Sequence, residues 1–71
     1  MSGFRWISPI PDRRLNGGVK ESWFFESKDQ AINDAIQLHT KKPAPAETAM
    51  RDWVWRQMEG LGWSITDEKR R

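Results

Sequence analysis

The chain has 71 residues, with 12 basic and 10 acidic side chains and a formal net charge of +2 at pH 7. This length allows one small domain, and the nearly balanced charge excludes a strongly polycationic surface. The chain contains no cysteine, which excludes disulfides, thiolate nucleophiles and metal sites with cysteine ligands. No apolar run approaches the roughly 20 residues of a membrane span, and the first residues lack a signal-peptide pattern, so we expect a cytoplasmic protein.

A first strand is predicted over residues 4–8, where apolar and polar side chains alternate. Pro9 and Pro11 are expected to end it, because proline has no N–H to donate to a neighbouring strand. The loop over residues 12–18 closes with Asn16-Gly17-Gly18, which is typical of the tip or return of a β-hairpin.

The second strand is predicted over residues 19–25. Side chains alternate between the two faces of a strand, so Trp23 and Phe25 are expected to face the core together. Phe24 then lies on the opposite face, where it is exposed unless another part of the chain covers it.

A helix is predicted from Ser27, which starts the capping box Ser27-Lys28-Asp29-Gln30, to about Thr40. Pro43 prevents its continuation. The residues expected on its buried stripe are Ala31, Ile32, Ala35, Ile36 and Leu38.

A second helix is predicted over residues 46–59, with Gly60 as its left-handed end. Its expected buried stripe comprises Ala46, Met50, Trp53, Val54 and Met58, with Leu61 just beyond. At 100° per residue Trp55 lies off the centre of this stripe, so we expect Trp55 to face outwards.

Residues 62–66 alternate like a last strand, with Trp63 and Ile65 inward, and residues 67–71 are expected to form a frayed, charged tail. The order of elements is therefore β-β-α-α-β. It predicts one α+β domain over residues 1–71, a small two-layer structure with an antiparallel sheet of about three strands and both helices on one face of the sheet.

Five tryptophans in so short a chain are its most distinctive feature: Trp6, Trp23, Trp53, Trp55 and Trp63. Each indole can bury roughly 200 Å² of apolar surface. Because only some of them can point inwards together, an indole left outside marks a candidate binding surface.

The first functional hypothesis is a non-enzymatic module that binds another protein, or itself as a homodimer, through an aromatic patch on the second helix. Trp55 would anchor the patch, since tryptophan is over-represented at the centres of interfaces. Arg51 and Arg56 would flank it on the same helix, and Phe24 is a further candidate surface aromatic. The alternative is that Trp55 packs at the rim of the helix pair and that the chain ends cover Phe24.

The second hypothesis, from a different class, is a small nucleic-acid-binding accessory protein. It requires a basic loop, a basic helix end and the basic tail to converge beside aromatic side chains, so that charge and stacking act together on a single strand. The residues concerned are Arg13, Arg14, Lys41, Lys42, Lys69, Arg70 and Arg71. The alternative is that these side chains form an ordinary solvated surface, since the net charge is weak.

No residue pattern predicts catalysis, a cofactor or a metal centre. His39 is the sole histidine, and its position near a helix end accounts for it without a catalytic or metal-binding role. Glu21 shares the predicted face of Trp23 and is expected at a solvated edge or in an ion pair with Lys20 or Arg14. In size and in the lack of a catalytic signature the chain resembles many short phage, prophage or plasmid proteins that modulate host machinery, a likeness of type that transfers no residue.

Overall fold

The computed structural model describes residues 2–14 and 17–69. Its elements are β1 (Ser2–Pro11), β2 (Val19–Glu21), α1 (Lys28–Thr40), α2 (Thr48–Gly60) and β3 (Ser64–Lys69). The strands form an antiparallel sheet in the order β2-β1-β3. Helix α1 packs against β1 and β3, and α2 packs against α1. The predicted α+β class and the predicted order of elements are confirmed.

The core joins both helices to one face of the sheet. Its buried members are Trp6, Ile32, Ala35, Ile36, Trp55, Met58 and Trp63. The rings of Trp6 and Trp63 lie with their centroids 5.3 Å apart and are tilted by 53°, a geometry that aromatic pairs favour. Three of the five tryptophans are thus committed to holding the domain together.

β1 continues past Pro9 because the strand contains a bulge there. Ile7 pairs with Glu21 and Pro11 with Val19, so four residue steps of β1 span two of β2. Within the bulge the buried Ser8 hydroxyl donates to the Lys20 carbonyl (2.8 Å) and accepts from a backbone N–H two residues along (3.2 Å). The predicted end of the strand at Pro9 was therefore wrong, since a side chain supplies hydrogen bonds where the backbone pairing is interrupted.

A second irregularity follows β2 and turns Trp23 outwards. The backbone groups of Phe4 and Phe25 bond each other at 2.9 and 2.7 Å, while the Ser22 N–H donates to the Trp6 carbonyl at 3.0 Å. Three residue steps on this segment therefore face two on β1, as in a β-bulge. The extra residue breaks the alternation, so Phe25 packs against the core while Trp23 is 88% exposed. The prediction that Trp23 faces the core was wrong.

Helix α1 begins and ends close to where the sequence predicts. Ser27 caps it, with both hydrogen bonds of the capping box present, and Lys41 in the left-handed region (φ 59°) ends it. The expected buried stripe is confirmed except at Leu38, which is exposed.

Helix α2 is rotated about its axis relative to the expected orientation. The side chains turned inwards are Arg51, Val54, Trp55 and Met58, which follow the i, i+3, i+4, i+7 spacing of one helical face. Trp55 is only 7% exposed, whereas Trp53, expected inside, is 60% exposed. The predicted outward position of Trp55 was therefore wrong. The helix also includes Gly60, and the positive φ lies at Gly62 (111°) instead.

β3 extends further than predicted. Backbone pairing with β1 runs from Ser64 opposite Ile7 to Lys69 opposite Ser2. The expected frayed tail is therefore wrong for residues 67–69, because the long β1 offers them a strand to pair with. Arg70 and Arg71 lie outside the described residues.

Replacing Trp55 with alanine is expected to lower the free energy of unfolding by about 3–5 kcal/mol, because it removes a buried indole and leaves a cavity in a small core. Trp53→Ala is the matched control. Because Trp53 is 60% exposed, that variant should change the stability by only about 0.5 kcal/mol. Urea denaturation followed by circular dichroism measures both, and equal losses would contradict this orientation of α2.

Candidate functional site

The candidate site is the apolar surface on the side of α2 that points away from the core. We call it the outer α2 face and define it by Met50, Trp53, Gln57 and Leu61. Positions 50, 53 and 57 are spaced by three and four residues, so they lie along one side of the helix, and Leu61 follows directly after the last turn. Met50, Trp53 and Leu61 are all exposed large apolar residues.

The outer α2 face exists because α2 is apolar on two adjacent sides. The Trp53-Val54-Trp55 run places bulky side chains at successive angles of 100°, and the core can cover only part of that arc. Trp55 and Met58 are buried, which leaves Trp53 on the solvent side. Clusters of exposed apolar side chains of this kind mark interaction surfaces more often than isolated ones do.

The residues predicted for protein binding are not brought together. Trp55 lies in the core. Arg51 lies on the same inward side of α2, as the four-residue spacing predicts, but its guanidinium binds Asp29 at 3.1 Å and Asp52 at 3.5 Å. Of the predicted helix residues, only Arg56 is exposed beside the outer α2 face.

Phe24 belongs to a different surface. Its ring lies against Gly3, where a side chain would approach the ring to 2.8 Å, and the Arg5 guanidinium stands 5.3 Å from the ring centroid. Arg5 also forms an ion pair of 2.9 Å with Glu21. These contacts leave Phe24 half-buried on the side of the sheet away from the helices, and they give Glu21 a partner that the sequence did not predict.

Asp52 and Arg56 flank the outer α2 face on one side. They are four residues apart and therefore lie one turn from each other on the same flank. The Asp52 side chain is half exposed despite its contact with Arg51. Within residues 2–14 and 17–69, no ion pair of Arg56 is found. The flank thus offers one negative and one positive group to a partner.

The basic residues of the second hypothesis separate into two places. Arg13 and Arg14 line a groove of about 520 Å³ next to Trp6, and Lys41 lines a neighbouring groove of about 360 Å³ that also reaches Trp6. The backbone of Lys69 pairs with the backbone of Ser2 at the other end of β1. Lys42 is exposed after α1, while Arg70 and Arg71 lie outside the described residues.

Acidic groups share these grooves with the basic ones. Asp12 and Glu21 line the larger groove, and Asp34 lines the smaller one. The Asp34 carboxylate accepts a hydrogen bond of 2.7 Å from the Trp6 indole N–H. The Trp6 ring is buried, so it offers no open face on which a nucleic-acid base can stack.

His39 contacts Trp63 edge-on, with ring centroids 5.7 Å apart and an interplanar angle of 72°. In the described part of the chain, no group of three or more His, Asp or Glu side chains is placed to hold a metal ion. Neither of the two described helices has the length and apolar character needed to cross a membrane.

The fold and the outer α2 face together define a small α+β domain that carries an exposed aromatic helix surface. Comparison of the chain with protein-family models, with curated proteins and with solved structures finds no match.

Quenching of tryptophan fluorescence by acrylamide is expected to detect two accessible indoles. Trp23 is 88% and Trp53 is 60% exposed, so Trp23→Phe and Trp53→Phe should each lower the quenchable fraction of the emission. The matched variants Trp6→Phe and Trp63→Phe should raise it, because each removes a buried indole that contributes only unquenched emission. A lower quenchable fraction in Trp63→Phe would contradict the assignment of inner and outer indoles.

Proposed function

We propose that this chain is a non-enzymatic interaction module of the cytoplasm that binds another protein, or a second copy of itself, through the outer α2 face. The observation that carries the proposal is Trp53, an indole that is 60% exposed on a helix whose other side is packed into the core. Tryptophan and methionine are enriched in protein interfaces, and buried indoles are frequent hot spots of binding energy.

The way in which α2 is held supports this role. Trp55 and Met58 fasten its inner side to the core, and Arg51 ties it to Asp29 of α1 at 3.1 Å. Trp53 is therefore presented on a helix that is already ordered before a partner arrives. A preorganised surface loses less conformational entropy on binding than a flexible one does.

The same helix has few stabilising features of its own. Its N-cap residue Glu47 makes no side-chain capping bond, and the helix has no acidic residue in the first turn and no basic residue in the last. Such a helix depends on tertiary packing for its stability. A partner on the outer α2 face would supply the packing that the monomer lacks there.

Affinity capture from a cell lysate with the tagged chain is expected to retain a binding partner that the Trp53→Ala variant loses. A well-packed indole contributes about 2 kcal/mol or more at an interface, so capture should fall by well over tenfold. Trp23→Ala is the matched control, since it removes an even more exposed indole from a different surface. The proposal fails if Trp53→Ala retains the same proteins as the wild-type chain.

A second candidate function is the binding of a polyanion such as single-stranded nucleic acid at Arg13, Arg14 and Lys41. It is favoured by the adjacency of their grooves, both of which border Trp6. The acidic groups in the same grooves and the buried Trp6 ring make it the weaker of the two proposals.

If this second function is real, affinity for a short single-stranded oligonucleotide should fall steeply as salt rises. Arg13→Ala/Arg14→Ala should reduce the slope of log affinity against log salt by about one unit for each cation removed. Arg56→Ala removes an exposed cation from another surface and serves as the control. If the wild-type chain, the double variant and Arg56→Ala all bind the oligonucleotide equally, the basic groove is excluded as the binding site.

A further inference from the structure

We infer that the occupant of the outer α2 face is a second copy of this chain, bound as an antiparallel, two-fold symmetric pair of α2 helices. This inference rests on the proposed function and names its partner. It is carried by the placement of charge around Trp53: Asp52 and Arg56 lie on one flank, two positions before and two positions after Val54.

Two-fold symmetry makes this placement self-complementary. When two copies of a helix pack antiparallel around a two-fold axis, each flank faces the same flank of the other copy with its direction reversed. Residues at equal distances on either side of the axis therefore stand opposite each other. With the axis beside Val54, Asp52 of one copy faces Arg56 of the second copy, and the same contact is repeated in reverse.

The apolar residues agree with the same axis. Trp53 is one position from Val54, so the two Trp53 indoles meet beside the axis with the offset that aromatic pairs favour. On the other flank, Met50 of one copy comes between Gln57 and Leu61 of the second copy. Each exposed apolar side chain of the outer α2 face thus gains an uncharged neighbour, and Arg56 gains the carboxylate that it lacks within the described residues.

Helix α2 is free to accept such a neighbour. It packs against α1 on one side, with Trp55 and Met58 turned inwards, so the outer α2 face points away from the rest of the domain. Oligomerisation is also a common source of stability for chains of this size, which alone bury a smaller fraction of their surface than larger domains do.

The test is sedimentation equilibrium of the full chain from low micromolar to near-millimolar concentration. The wild-type chain should shift from monomer towards dimer, and Trp53→Ala should weaken the dimer roughly thirtyfold. Asp52→Arg and Arg56→Asp should each weaken it about tenfold, because each places like charges opposite one another across the axis. Lys20→Glu on β2, which changes the net charge as much as Arg56→Asp does, is the control and should dimerise as wild type.

Mixing the two charge variants gives the sharpest result. The Asp52→Arg chain carries two cations on the flank and the Arg56→Asp chain two carboxylates, so an equimolar mixture should form heterodimers although each alone is mainly monomeric. Circular dichroism confirms that each variant is folded. If Asp52→Arg fails to fold because Arg51 loses one of its two carboxylate partners, the comparison of Arg56→Asp with Lys20→Glu decides the question.

A wild-type chain that stays monomeric throughout, or a dimer that is insensitive to both Trp53→Ala and the charge variants, would overturn the inference. These results are separable from failure of the proposed function. A monomeric chain that still captures another protein through Trp53 would retain the interaction module and exclude the second copy as its partner. A monomeric chain whose capture does not depend on Trp53 would exclude both.

Discussion

The rotational setting of α2 about its own axis is the constraint on which the rest of the structure depends. The helix carries two overlapping apolar stripes, one through Trp55 and Met58 and the other through Met50 and Trp53, and Val54 lies between them. The first stripe is the one packed into the core, where Trp55 and Met58 belong to the same buried cluster as the indoles of Trp6 and Trp63. Arg51 lies on the same side of α2 as that stripe. Its charge is paired, because its guanidinium reaches Asp29 on α1.

That setting creates the candidate site as a by-product of building the core. A chain this short cannot cover every large side chain, and α2 has more apolar surface than one neighbouring helix and a sheet can hide. The indole of Trp53 is left on the solvent side, fixed in place by the burial of the opposite side of the helix. The core and the candidate site therefore lie on two sides of one helix, and substitutions on the two sides test different properties.

The central strand shows how the same small chain tolerates irregular pairing. The backbone pairing between β1 and residues 19–25 is interrupted by two bulges, and a serine lies at each bulge. Ser8 bonds the Lys20 carbonyl at 2.8 Å, and the Ser22 hydroxyl accepts from the Trp6 N–H at 2.9 Å. These hydroxyls replace backbone partners that the bulges displace, so buried polar groups stay satisfied while Pro9 and Trp23 are accommodated.

Local patterns by themselves determined much of this protein: the order and type of the elements, the capping box at Ser27, the buried stripe of α1 and the inward side chains Trp63 and Ile65. They also predicted that the indoles would divide between a core and a surface. Only the tertiary structure decided which indole went where. A single extra residue near Trp23 reverses the face on which it lies, and a rotation of α2 by about one residue, 100°, exchanges Trp53 for Trp55. Neither the bulge nor the rotation of α2 follows from local propensity. Both are selected by contacts between elements far apart in the chain, such as Trp6 with Trp63 and Arg51 with Asp29.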